Sequence, residues 1–536
     1  MSKNLLGLLI KSSLGALAAL MVSPSFAANQ ISINYPPFGS FYVSIEDLTT
    51  FANTGQVTSS FAYYANKVKP WQLKHLREIL TKSIPVNSVE AFNFFQTQLG
   101  KEVLTQAVKL INNPKDESKP ALEGALISAA ENPKGLTIIE ILQKFSLPTI
   151  NVDLSTVVST VDETNELLRQ TEHIFSTLSK QNQTDSSPTN LDFEHLLKPG
   201  KVSWRKESLI VNPNSPDNLI SASVYLPEGL KEPASLIIIA PGLNTDIKSL
   251  EYVAKHLASH GFGIIAINFP QTDSQRISSS LNGLDTIPRP NAWIEQPLEV
   301  SLVLDAVKIK IKSDPLWQGK LNLNNVGILG QSLGGYTSMG SGGALTAWPN
   351  VLKKCQEIDD PNKVVFNPAL IWQCQGITAK PPTVNMQDNR IKALIAINPV
   401  TNPIFNQDSV AQMKTPIMII SGSSDVFSPA IPEQIRPFTW LTQPDKYLLL
   451  VKNSTHLSFL DGTSNIPAAI VGPAPNVARN YLKVLSLVFF NIYLMNQTQY
   501  QKYLTPLAVS ALSQDPLPTS IIRNLTPQEF QKAIHW

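Results

Sequence analysis

Val326-Gly327-Ile328-Leu329-Gly330-Gln331-Ser332-Leu333-Gly334-Gly335 is the stretch on which the reading of this chain turns. Its first four residues are almost wholly apolar, as expected of a strand covered on both faces. The next five spell Gly-x-Ser-x-Gly, and residues 333–345 continue with helical spacing. A sharp strand-to-helix turn of this kind holds Ser332 in a strained backbone conformation, with Oγ raised above the sheet edge. Gly330 and Gly334 answer the need for small residues where backbone and helix approach closely. The helix start adds free N–H groups and a positive dipole beside the serine. A bare Gly-x-Ser-x-Gly is common by chance, so its weight here comes from the strand before it and the helix after it.

Working outward, residues 208–211, 220–226, 236–240, 263–268, 326–329, 393–397, 417–420 and 447–451 read as eight strands, the first two as an edge hairpin. Helical stretches at 250–260, 297–311, 333–345 and 429–442 alternate with them, and a last helix spans 477–495. Alternation of this kind predicts a mostly parallel α/β sheet over residues 201–536. Between the serine helix and the sixth strand, residues 346–390 form an insertion of lid-like length, carrying Trp348, Cys355, Phe366, Trp372 and Cys374. Its aromatic residues would line a substrate pocket or simply pack the loop.

Upstream of residue 200 the character changes. Residues 29–182 show helical apolar spacing broken by Pro and Gly, with Ser44-Ile45-Glu46-Asp47 opening a helix that Gly55 closes. The expectation is an all-helical domain, joined to the sheet by a polar linker at 183–200. Residues 1–28 read as a secretory signal: Lys3 is followed by a Leu- and Ala-rich run, then by Ser25-Phe26-Ala27 at the cleavage point. Lys11 splits that run into pieces too short for the ~20 residues of a spanning helix. No stable transmembrane anchor is therefore expected, and the mature protein should be periplasmic or extracellular.

Composition narrows the partners. Of 536 residues, 43% are apolar and 16% charged, which excludes a disordered chain. Lys+Arg number 43 and Asp+Glu 41, with no basic stripe, so nucleic acid is not expected. Two cysteines and seven scattered histidines offer no metal-site spacing, and no metal is expected. The cysteines stand 19 apart in the insertion, and an oxidising compartment would pair Cys355 with Cys374. Two free thiols are the alternative.

A nucleophile on such a turn needs an acid and then a histidine later in the chain. Five of the seven histidines precede Ser332, leaving His456 and His535. His535 stands beside the last residue, whereas His456 lies in the loop after the last predicted strand. Among the intervening acids, Asp425 alone closely follows a buried strand. There it could hold His456 in one tautomer. Asn398, at the end of the sixth strand, cannot carry a charge. Oxyanion donors would be the backbone N–H of Leu243, in Ala240-Pro241-Gly242-Leu243-Asn244, and that of Leu333.

These residues resemble the α/β-hydrolase superfamily, and residues 200–500 follow its strand order. The resemblance is nearest to secreted dienelactone-hydrolase-like and platelet-activating-factor-acetylhydrolase-like esterases. More narrowly, it is to a bacterial family that joins a helical N-terminal domain to such a hydrolase. Residues 43–48, 330–336 and 433–441 carry this narrower likeness. It implies an α/β-hydrolase fold and a serine esterase acting on a small-molecule or lipid-like ester through an acyl-enzyme, with no cofactor. The chain has no cysteine at the nucleophile position, which argues against a lactone substrate. An acyltransferase or a non-catalytic binding protein on the same fold are the other readings.

Overall fold

The computed structural model describes residues 27–534 apart from 35–38, 182–190, 213–218, 286–291, 361–362, 366, 376–384, 464–465 and 467. Residues 1–26 of the expected signal segment, residues 183–190 of the expected linker, Phe366 and His535 therefore lie outside the described residues. The chain forms two compact units. The first runs to Thr160 and includes Lys363 and Val364; the second holds Val161–Asp360 and continues from Val365.

The first unit is not all-helical. Strands β1 (Gln30–Asn34), β2 (Ser40–Ser44) and β3 (Thr149–Asp153) form a sheet of order β2-β1-β3, with β1 antiparallel to β2 and parallel to β3. Each strand has only five residues, too few to show alternation against the surrounding helical spacing. Gln30 and Thr149, joined by a side-chain hydrogen bond, are 119 residues apart. Seven helices follow one another between Ile45 and Lys144. The first, Ile45–Thr54, begins and ends as its sequence demands. Ser44 Oγ accepts the Glu46 and Asp47 N–H groups, and Gly55 closes the helix at φ 78°. Val43, Leu48, Phe51 and Phe61 form part of its core.

The second unit is built on a nine-stranded sheet: β4 (Trp204–Val211), β5 (Ile220–Pro227), β6 (Ala234–Ala240), β7 (Gly263–Asn268), β8 (Leu321–Gln331), β9 (Ile391–Ile397), β10 (Ile417–Gly422), β11 (Lys446–Val451) and β12 (Thr519–Ile522). Its order is β12-β11-β10-β9-β8-β6-β7-β5-β4. From β7 to β11 every pairing is parallel. β4, β5 and β12 add antiparallel edges. The ninth strand, β12, was not expected: four residues, Thr-Ser-Ile-Ile, carry too little pattern to be read alone. Residues 236–240 and 417–420 are fully buried, as continuous apolar runs between two helical layers should be.

Two boundaries differ from the expectation. The helix Leu154–Gln181 carries Ile174, Phe175 and Leu178 into the same core as Leu209, Ile220 and Ile265, so its C-terminal half belongs to the sheet unit. Past the undescribed stretch, the expected linker contains a short helix, Phe193–Leu197, and Leu196 is buried in the same core as Tyr225 and Phe262. The apolar helix Pro475–Met495 is buried along most of its length, from Ala478 to Leu494. Among the described residues no helix is long and apolar enough to cross a membrane.

Candidate active site

Ser332 follows β8 directly and precedes the helix Leu333–Ser341, at φ 57° and ψ −116°. A side chain in that region is strained and persists only when its surroundings enforce it. The Ser332 N–H donates to Ile397 O at 2.8 Å, and Ser332 O accepts from Tyr336 N at 3.1 Å. A Cβ on Gly330 would lie 1.9 Å from Gly334 O, and one on Gly334 would lie 1.9 Å from Ala240 O. Both glycines are thus required by contact, and Gly334 presses the serine turn onto the end of β6.

The loop after β6 stands beside the serine. A Cβ on Gly242 would meet Gln331 Oε1 at 2.7 Å and Ser332 Cβ at 3.0 Å. Leu243 follows, and Asn244 adopts φ 56° with its N–H bonded to Thr272 O. The Leu333 N–H is the first of its helix and has no intrahelical acceptor. The Leu243 N–H meets no backbone carbonyl among the described residues. Two main-chain donors are therefore carried by the segments flanking Ser332.

Asp425 lies three residues beyond β10, with its side chain fully buried. Its Oδ1 accepts the N–H groups of Phe427 at 2.9 Å and Ser428 at 2.8 Å. Its Oδ2 lies 2.7 Å from His456 Nδ1. That contact assigns the ring proton to Nδ1 and leaves Nε2 as an acceptor. The acid and histidine loops are also stitched by Ser424 N donating to Ser454 O at 2.9 Å. The Phe427 ring lies 5.6 Å from the imidazole. No hydrogen bond joins Ser332 Oγ to His456 among the described residues.

Residues 433–441, which sequence reading associated with a family likeness, buttress the loop after β9. Glu433 is fully buried in the π-turn Ile431–Ile435 and accepts the N–H groups of Thr401 and Asn402, both at 2.7 Å. Burial outweighs these donors and pushes its carboxyl up to about 7. Gln434 Nε2 donates to Pro399 O at 2.9 Å and to Ser428 Oγ at 2.7 Å. Ser428 N in turn holds Asp425. Sequence reading did not identify these supports, because a buried Glu or Gln in a loop has no periodic signature.

The insertion contains helices Trp348–Gln356 and Pro368–Gln375, joined by the disulfide Cys355–Cys374. Trp348 and Trp372 pack against the main core. Among the described residues no group of three metal-ligating side chains comes together.

The strand order and the serine turn after β8 define the class: an α/β-hydrolase fold. A family described as "Alpha/beta hydrolase of unknown function (DUF1400)" matches residues 27–153. That segment lies within the first unit, so the family likeness and the nine-stranded sheet fall on different parts of the chain. No curated protein matches the chain.

Proposed function

We propose that the protein is a serine carboxylic-ester hydrolase in which Ser332, His456 and Asp425 carry the reaction. The observation that carries this reading is the buried 2.7 Å contact from Asp425 to His456 Nδ1, at the strand ends that also present the strained Ser332. His456 Nε2 takes the proton of Ser332 Oγ as that oxygen attacks the ester carbonyl. The N–H groups of Leu243 and Leu333 receive the developing oxyanion, each such donor typically supplying about 2.7–4 kcal/mol. Asp425 stabilises the imidazolium, which returns the proton to the departing alcohol. Water deprotonated by His456 then releases the acid and restores Ser332. No cofactor enters this cycle.

The substrate side is proposed to be apolar. Val426 and Phe427, directly after Asp425, are 60% and 41% exposed, an unusual placement for large apolar side chains beside a polar site. This supports a lipid-like or short acyl ester. The Cys355–Cys374 disulfide supports an oxidising compartment outside the cytoplasmic membrane.

The test is hydrolysis of nitrophenyl esters of increasing acyl length by the full chain. Turnover abolished by Ser332→Ala, together with fluorophosphonate labelling lost in the same variant, is the expected result. Equal labelling of wild type and Ser332→Ala would overturn the reading. Ester formation with added alcohol would redirect it to acyl transfer.

A further inference from the structure

We propose that Gln331 and Asn398 are a pair of positioning residues whose side-chain amides grip two consecutive carbonyls of the histidine loop and so hold the His456 imidazole in line. This inference rests on the hydrolase reading above. Gln331 Nε2 donates to His456 O at 3.0 Å, and Asn398 Nδ2 donates to Thr455 O at 3.2 Å. Gln331 is 1% exposed and Asn398 is fully buried, so neither bond competes with bulk water. The two side chains come from neighbouring strand ends: Gln331 pairs in register with Ile397, the residue before Asn398.

Asn398 does more than donate. Its Oδ1 accepts the Gly422 N–H at 3.1 Å, three residues before Asp425. One amide thus ties the end of the acid strand to the residue before the histidine. Only a side chain with a donor and an acceptor can do this: an aspartate would set its charge against the Thr455 carbonyl, and a serine hydroxyl would fall short of spanning both. Its backbone φ of 42° is left-handed, a region Asn tolerates better than most residues. Position 398, where sequence reading noted that no charge could be carried, therefore has a use that requires the neutral amide.

The loop from Lys452 to Ser458 is irregular backbone, and a turn about the 455–456 peptide swings Nε2 toward or away from Ser332. A displacement of about 1 Å in a reacting group costs on the order of 10²-fold in rate. Gripping both carbonyls removes that freedom.

The test uses the full-length protein and two variants chosen to spare the backbone. Asn398→Gly keeps the left-handed conformation without strain and removes both side-chain bonds. Gln331→Met keeps a similar shape and removes the donor. For each, kcat and KM on nitrophenyl acetate are measured separately, with the rate of Ser332 phosphonylation and the melting temperature. The expected result is kcat lowered by about 10–100-fold. KM should stay within about twofold and phosphonylation should slow in parallel, with the protein folded at assay temperature. Both variants keeping kcat within about twofold of wild type would overturn the brace. So would losses that merely follow the unfolded fraction. A wild type no more active than Ser332→Ala would instead overturn the hydrolase reading, and the brace with it.

Discussion

Ser332 occupies a backbone conformation that costs of order 1–3 kcal/mol and is enforced by contacts from Ala240, Gly334 and Ile397. Asp425→Asn leaves the shape intact but presents an amide to His456 Nδ1, favouring the wrong tautomer. In a steady-state assay kcat should fall by about 10⁴-fold with KM little changed; a loss under tenfold would show that Asp425 does not orient the ring. Phe427→Ala keeps the main-chain N–H that holds Asp425 while removing an exposed ring beside His456. Its KM for long-chain esters should rise by about 10-fold, as expected for one lost apolar contact, while the acetyl ester is unaffected. A uniform change across chain lengths would count against an apolar approach at this point.

Elements explain why the division of the chain differs from its apparent composition. The helix Leu154–Gln181 looks like the last member of a helical domain, yet Ile174, Phe175 and Leu178 are at most 2% exposed within the sheet unit's core. Glu172 on the same helix accepts from Ser423 Oγ at 2.9 Å and pairs with Lys452 at 3.2 Å, touching the segments that lead into Asp425 and His456. Phe175→Ala should destabilise the sheet unit by about 3–5 kcal/mol and Leu178→Ala by about 2–5 kcal/mol. Denaturant unfolding of the full chain measures both; values near zero would mean this half of the helix does not support the sheet.

At the scale of the whole molecule the charges nearly balance, 43 basic against 41 acidic residues, and two buried groups, His256 and Glu433, contribute opposing responses to pH. His256 is lowered from 6.5 to about 3 by burial, with His260 and Lys483 adding repulsion. The folded state therefore binds fewer protons than the unfolded chain between those values, and stability is lost as pH falls below about 6.5. Glu433 is raised from 4.5 to about 7 by burial, so folding favours its proton and stability is lost as pH rises from 4.5 through 7. Between about 4.5 and 6.5 the two slopes oppose each other. His256→Phe should unmask a melting temperature that falls as pH rises across 4.5–7. Glu433→Gln should unmask one that falls as pH drops below 6.5. Melting curves from pH 4 to 8 check both, and identical profiles for wild type and variants would show that neither group is linked to folding.

What the amino-acid order by itself determined were the features written in local spacing. The apolar runs predicted β6 to β11, the glycines around Ser332 predicted the turn, and chain order singled out His456 and Asp425, which the structure brings together. The Cys355–Cys374 pairing followed from count and separation. Tertiary structure alone decided what depends on partners distant in sequence. β1 is completed by a strand more than a hundred residues on, β12 is four residues meaningful only beside β11, and the long helix is assigned by the core it enters. The amides of Gln331 and Asn398 look like any loop residues until the carbonyls of Thr455 and His456 are set against them. The physical reason is one of range. Periodicity and backbone sterics act within a few residues, whereas burial and hydrogen-bond satisfaction are settled only when distant segments meet.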